Sequence, residues 1–236
     1  MKNLIRSIWT IFTVVVLTVL FASLSVLFGI FDRRGRIVNF FARSWAKLIL
    51  AVNGVTVHCR GCGDLPRNRS YVFMANHTSA LDIPVLFAAL PFQLRMMAKK
   101  ELFRFPIFGW ALAIGGYIKV DRENREKAIA SLQAAASRVV RHNVSVVVFP
   151  EGTRSSSGEL GRFKKGGFMF ALDAGYPIVP ITIKRSRDRT PNRQMVIYPG
   201  SVDVVVDEPI PVEGVTPETR DHLIERTFLT IQANQA

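Results

Sequence analysis

At 236 residues with 49% hydrophobic side chains, the chain is long enough for one α/β domain with a substantial core and an N-terminal appendage, and too short for a two-domain enzyme. Its formal charge of +13 is unevenly spread, because residues 199–236 hold seven carboxylates against Arg220 and Arg226, leaving the basic excess on the preceding chain. Such a field favours anionic partners, whether acidic lipid head groups, phosphorylated substrates and carriers, or nucleic acid, and charge alone does not choose among them.

In chain order, the first element is an uncharged apolar run from Ile8 to Phe31. As a helix it extends roughly 36 Å, enough to cross a hydrocarbon core of about 30 Å. A cleaved signal would end near Ala22-Ser23, but the run continues to Phe31, which favours a retained anchor. Lys2 and Arg6 precede the run, and Arg33, Arg34 and Arg36 follow it, so positive charge gives no orientation. Residues 35–52 read as an amphipathic helix with Ile37, Phe40, Phe41, Trp45, Leu48 and Ile49 on one side. The expected organisation is a membrane-anchoring helix pair over 1–52 and a catalytic domain over 53–236.

After Asn53-Gly54, short apolar runs alternate with helical stretches. Strands are predicted at 55–59, 71–75, 94–98, 116–120, 144–149, 178–183, 195–198 and 202–206. Helices are predicted at 80–90, 104–113, 123–141, 166–174 and 217–232. This alternation implies an α/β fold with a mostly parallel central sheet flanked by helices, carrying an N-terminal membrane-associated helix pair. Cys59 and Cys62 sit at a strand end before a Gly-rich turn; a zinc site would need two further soft ligands and a redox motif should open a helix, so they read as two reduced thiols.

Two polar clusters stand at the C-terminal ends of predicted buried strands, the edge at which open α/β sheets bind ligands. The first is Asn76-His77 with Asp82 five residues past the histidine. Asp82 can orient the His77 ring, leaving its far nitrogen as a base near neutral pH. Ser79-Ala80-Leu81-Asp82 equally fits a helix capping box, in which Asp82 serves backbone amides instead. The second is Phe149-Pro150-Glu151-Gly152-Thr153-Arg154, followed by Arg162, Lys164, Lys165 and Gly166-Gly167 at an expected helix start. Backbone amides, an arginine fork and a helix N-terminus make a phosphate site, but the spacing of a nucleotide P-loop is absent.

Together, Asn76-His77-Thr78-Ser79-Ala80-Leu81-Asp82, Gly116 to Arg122, Phe149 to Ser155 and Ile178-Val179-Pro180 resemble the four ordered blocks of the 1-acyl-sn-glycerol-3-phosphate acyltransferase family. The resemblance implies an HX4D motif in which His77 is the general base and Asp82 its partner. Glu151, Gly152, Thr153 and Arg154, with Arg122, would then hold the acceptor's phosphate, and Lys100 is carried over from Lys99-Lys100-Glu101-Leu102. The implied reaction moves a fatty acyl group from acyl-CoA or acyl carrier protein to the sn-2 hydroxyl of 1-acylglycerol 3-phosphate, giving phosphatidic acid.

Ser79 lies near His77, but Gly-x-Ser-x-Gly is missing, so direct transfer is expected rather than an acyl-enzyme. No cofactor or metal is expected; the four histidines are scattered. Expected partners are membrane phospholipids, lysophosphatidic acid and the acyl donor, with no nucleic acid. The expected location is the inner (cytoplasmic) membrane with the catalytic domain on its cytoplasmic face. Another lysolipid as acceptor, or a non-catalytic protein that binds anionic lipid, is the alternative.

Overall fold

A computed structural model of the chain describes residues 2–32, 34–121, 125–191 and 195–235. Two helices lead, α1 (Lys2–Gly29) and α2 (Arg36–Val52), and the remainder alternates as β1 (Val55–Arg60), β2 (Val72–Ala75), α3 (Asp82–Ala89), β3 (Leu94–Lys99), a 3-10 turn (Lys100–Arg104), α4 (Phe108–Ile114), β4 (Ile118–Val120), α5 (Arg125–His142), β5 (Ser145–Val148), α6 (Lys165–Ala174), β6 (Ile178–Lys184), α7 (Ser186–Arg189), β7 (Gly200–Val206) and α8 (Arg220–Gln235). Seven strands form one sheet in the order β1-β7-β6-β2-β5-β3-β4, with every pairing parallel except β6 with β7. The fold is the mostly parallel α/β sheet that the sequence predicts.

Central strand β2 is apolar throughout because both of its faces are covered. Phe73 and Ala75 join a core with Ala46, Ile49 and Leu50 of α2 and Val85 and Leu86 of α3, whereas Val72 and Met74 face Ala135, Val139, Phe168 and Ile231 from α5, α6 and α8. The result is three layers. Gly167 in the first turn of α6 lets that helix approach β5, since a Cβ there would stand 2.7 Å from Val148 Cγ1. Its function is packing, not the phosphate cradle read from Gly166-Gly167.

The α1–α2 pair is fastened to the domain by polar contacts that hydropathy does not reveal. Near the start of α1, Thr10 Oγ1 accepts from Ile197 N at 3.0 Å. Farther along, Trp45 Nε1 of α2 donates to Thr18 Oγ1 at 3.1 Å. At its end Gly29 allows close approach to α2 and α4, where a Cβ would meet Val38 at 2.6 Å and Ile114 at 2.9 Å. Asn39 Oδ1 accepts from Leu94 N at 2.8 Å, and Arg43 of α2 donates to the Leu90 and Phe92 carbonyls. Arg43 therefore faces the domain and does not belong to a solvated helix face. Most of α1, over 28 residues and about 42 Å, lies alongside the domain instead of projecting from it.

Arg95 secures the turn between these helices. It is 4% exposed, and its guanidinium donates to Leu94 O at 2.7 Å, Arg34 O at 2.8 Å and Gly35 O at 3.2 Å. Burial pushes its pKa below the ordinary value, opposed by Tyr117 and Asp32.

Three expectations are corrected. Residues 195–198 form no strand: Val196 and Ile197 are buried as a loop against α1, so their apolar pattern marks burial without ladder pairing. The helix expected at 104–113 divides at Pro106 into the 3-10 turn and α4, with Ile107 in the left-handed region at φ 61°. Cys59 and Cys62 form a disulfide with Cα atoms 5.9 Å apart. Gly61, at φ 82° and placed where a Cβ would run into Val206 O, turns the chain back on itself there, so the two cysteines are not the reduced thiols expected.

Replacing the buried guanidinium in Arg95→Met strands three carbonyls. Thermal unfolding of the purified variant should show a loss of about 2–4 kcal/mol. An unchanged melting temperature would show that the turn does not depend on it.

Candidate active site

Strands β2 and β5 are neighbours in the sheet, so the loops leaving their C-terminal ends meet. The first loop opens with Asn76, 1% exposed, whose side chain donates to Ile183 O at 2.9 Å and accepts from Ile183 N at 2.7 Å. This pair ties the end of β2 to β6 and fixes where His77 leaves the sheet. The second loop then holds the His77 backbone on both sides: His77 N donates to Glu151 Oε1 at 2.7 Å, and Ser155 N donates to His77 O at 2.8 Å.

The ring is held as firmly. Phe149 stacks on it with centroids 4.0 Å apart and planes 17° from parallel. Asp82 Oδ2 lies 2.8 Å from Nδ1. Since a carboxylate only accepts, Nδ1 carries the proton and Nε2 is left with its lone pair. Such an imidazole can accept a proton from a hydroxyl placed beside it.

Asp82 is fully buried and fully engaged. Its Oδ2 also accepts from Thr78 N at 2.8 Å and Ser79 N at 2.9 Å, and Ser186 Oγ donates to Oδ1 at 2.5 Å. Ser79 Oγ accepts from Leu81 N at 3.1 Å. The capping-box reading and the His-partner reading are thus both true of one carboxylate, which orders the entry to α3 and orients the ring.

Glu151 differs from its expected place on a phosphate. It is 7% exposed, and its two oxygens accept from His77 N and from Gly161 N, the latter at 2.9 Å. A carboxylate would repel a phosphate; here it braces the loop that carries the histidine. Gly152 makes the tight turn beyond it at φ 76°, and the Lys164 side chain lies over it, 2.8 Å from where a Cβ would stand. Thr153 and Arg154 are exposed. Lys100 lies apart, with Nζ on both Asp121 oxygens at 2.9 and 3.0 Å. Arg122 lies outside the described residues.

His77, Gly152 and Arg154 line one wall of an apolar cavity of about 430 Å³. Its other walls come from Phe21 and Ala22 of α1, Trp45 of α2, Phe87 of α3 and Tyr117, whose phenol burial pushes up to about 12 and so keeps neutral. A second apolar cavity of about 580 Å³ opens on the other side of Arg154. Sequence reasoning missed Ser186, which is 104 residues from Asp82, lies in a four-residue helix after β6 and belongs to no motif. It also missed the stacking of Phe149, whose alternation marked only a strand end.

This arrangement is that of an α/β acyltransferase site. Residues 56–184 match the Acyltransferase family. The chain is 35% identical over 173 residues to human 1-acyl-sn-glycerol-3-phosphate acyltransferase alpha, covering 73% of this chain and 61% of that protein, so it spans about three-fifths of that relative's length. It is 30% identical over 203 residues to the 1-acyl-sn-glycerol-3-phosphate acyltransferase of Pseudomonas aeruginosa, covering 84% of this chain and 77% of that one. The crystal structure of the 1-acyl-sn-glycerophosphate (LPA) acyltransferase PlsC from Thermotoga maritima superposes with a TM-score of 0.83 at 25% identity, covering 99% and 94% of the two chains. The chain belongs to the 1-acyl-sn-glycerol-3-phosphate acyltransferase family.

Removing the hydroxyl in Ser186→Ala leaves a buried Asp82 oxygen without its donor. The variant should lose about 1–3 kcal/mol of stability and more in kcat than in KM; unchanged kcat would show that Ser186 does not help to hold the ring. Glu151 gives a pH test. Burial pushes its carboxyl above the ordinary 4.5, against the amides of His77 and Gly161 that pull it down. With a folded pKa above the unfolded one, its contribution is complete below about 4.5 and is lost as pH rises through the raised value. The melting-temperature difference between wild type and Glu151→Gln should therefore move against wild type as pH rises through that window, and a difference moving the other way would refute the assignment.

Proposed function

We propose that the chain transfers a fatty acyl group from an acyl thioester, acyl-CoA or acyl carrier protein, to the sn-2 hydroxyl of 1-acylglycerol 3-phosphate, yielding phosphatidic acid. The observation that carries this reading is the His77 ring, oriented by buried Asp82, in the wall of an apolar cavity that it shares with exposed Arg154. Arg154 makes no ion pair among the described residues, and its fork suits a phosphate. The activities for which the relatives are named point the same way.

In the proposed reaction the acceptor's phosphate pairs with Arg154 and its sn-2 hydroxyl lies beside His77 Nε2. As the oxygen attacks the thioester carbonyl, Nε2 takes its proton. Collapse of the tetrahedral intermediate breaks the carbon–sulfur bond, and the departing thiolate is protonated from the imidazolium, so His77 ends as it began. The ester oxygen is the acceptor's own, and no acyl-enzyme forms. The donor's chain would fill the cavity that His77 lines. General-base assistance is worth about 10²–10⁴-fold, so the positioning of two substrates must supply much of the rest.

The membrane reading fits the same picture. Asn3–Gly29 is long and apolar enough to cross a bilayer, yet most of it lies against the domain, with Ile8, Phe12, Val16, Val19 and Leu27 exposed on its outer face. A helix so docked lies in one leaflet and brings the His77 cavity to the lipid. The inner membrane, cytoplasmic side, is the proposed location, where thioester donors are made.

Purified protein supplied with lysolipids differing in head group, and with each thioester donor, should yield phosphatidic acid by mass spectrometry. His77→Ala should abolish turnover, Ser79→Ala should retain it, and Arg154→Ala should raise the acceptor KM about 10–100-fold, the worth of one or two charge-assisted bonds. Loss of turnover in Ser79→Ala with retention in His77→Ala would overturn direct transfer. Turnover of uncharged lysolipids at equal efficiency would overturn the role of Arg154.

A further inference from the structure

The proposed reaction leaves the larger of the two cavities unused. It is lined by Ile11, Val14 and Val15 of α1, by Pro84 of α3, and by Met195 and Ile197 of the loop before β7. With a volume of about 580 Å³ and apolar walls, it has the size and character of a ligand site. The smaller cavity, of about 430 Å³, takes its α1 walls from farther along the same helix, at Thr18 to Ser25. Trp45 and Ala80 line both, and Trp45 is held in place by its bond to Thr18 Oγ1. One fixed indole therefore partitions two apolar chambers beneath one helix.

Two residues decide which chamber takes which chain. His77 lines only the smaller one, whereas Arg154 lines both and stands where they meet. We propose that the larger cavity seats the sn-1 acyl chain of the lysolipid acceptor. The acylated product of the reaction carries two chains, one from each reactant, and both must be present at once beside a single histidine. The donor's chain is attached to the carbonyl under attack, so it extends from His77 into the smaller cavity. The acceptor's phosphate sits on Arg154 with its sn-2 hydroxyl turned to His77, so its sn-1 chain leaves on the opposite side of Arg154. The polar side chains of Ser156 and Thr190 rim that exit, where the glycerol backbone would pass, and the walls beyond are apolar. Separate chambers keep the acceptor from competing with the donor for one groove.

The identity of the ligand rests on the proposed function, and the test separates the two. The full-length protein in phosphatidylcholine vesicles is irradiated with a lysophosphatidate bearing a diazirine in the distal half of its chain, and the adducts are mapped by mass spectrometry. Adducts at Ile11, Val14, Val15, Met195 or Ile197, competed by unlabelled lysophosphatidate and not by added phosphatidylcholine, are expected. Adducts at Phe87 or Leu112 in the smaller cavity, adducts confined to the outer-face residues Phe12, Val16 and Val19, or equal competition by phosphatidylcholine would overturn the proposal. The readout needs no turnover: labelling of the groove without phosphatidic acid formation sinks the functional reading alone, and phosphatidic acid formation with labelling elsewhere sinks this inference alone. Kinetics give a second check. Val15→Trp, at a partly exposed wall position, should raise the KM for a long-chain lysophosphatidate about tenfold, or about 1.4 kcal/mol, while leaving the KM for a six-carbon lysophosphatidate and for the donor as they were. An equal rise for both chain lengths, or a rise confined to the donor, would refute it.

Discussion

The carboxylate of Asp82 is the interaction on which the rest of the site depends. It has no solvent exposure, so the protein must supply the hydrogen bonds that water would. Four donors do so: two amides of its own loop, the Ser186 hydroxyl and the His77 ring. Each serves a different structural need. The amides fold the chain into α3, the hydroxyl ties the segment after β6 to the segment after β2, and the imidazole is held in the wall of the smaller cavity. Removing any one leaves a buried charge partly unpaired, which is why a catalytic geometry here is also a folding constraint.

Glu151 repeats the arrangement from the neighbouring strand. It too is buried, and it too spends its oxygens on backbone amides, one of them that of His77. Two acids brace one histidine, Asp82 through its ring and Glu151 through its main chain. Arg154, three residues past Glu151, is then delivered to the open side of the same loop. The spacing Glu-Gly-x-Arg makes physical sense as an inward anchor, a left-handed turn at φ 76° that glycine adopts freely, and an outward cation.

Much of this was legible in the sequence, and what was missed has specific causes. The apolar runs gave all seven strands, most plainly β2, β5 and β6, which are covered on both faces and show no alternation to confuse. The same signal misplaced 195–198, since buried loop residues that bond α1 are apolar for the same reason. Motif spacing singled out His77, Asp82, Gly152 and Arg154, which the fold brings to one place. It misread Glu151 as a ligand group, because a sequence shows charge without showing which way the side chain turns. Ser186 carried no signal at all: its bond to Asp82 is made from the segment that follows β6, and only the folded chain brings the two together. The disulfide was missed although the turn was read, because Cys-x-x-Cys spacing does not show that the two sulfurs face each other, and Arg43 and Arg95 were invisible as anchors because a cation on carbonyl oxygens has no pattern.

Helix α1 joins these threads. An anchor that served only to hold a domain near lipid would need an apolar surface and nothing more. This helix buries Thr10, Thr13 and Ser25 on one side while exposing Ile8, Phe12, Val16 and Val19 on the other. Its inner face walls both cavities in succession, Thr10 to Val15 the larger and Thr18 to Ser25 the smaller. On the proposed function, lipid contact and substrate enclosure would be two faces of one element. On the same proposal, a reactant's chain could pass from the bilayer at the outer face of α1 to the cavities at its inner face with its apolar area kept covered. That continuity gives a physical reason for this helix to lie along the domain, where both surfaces are available, and it places the partition at Trp45 and the cation at Arg154 at the point where two such chains would converge.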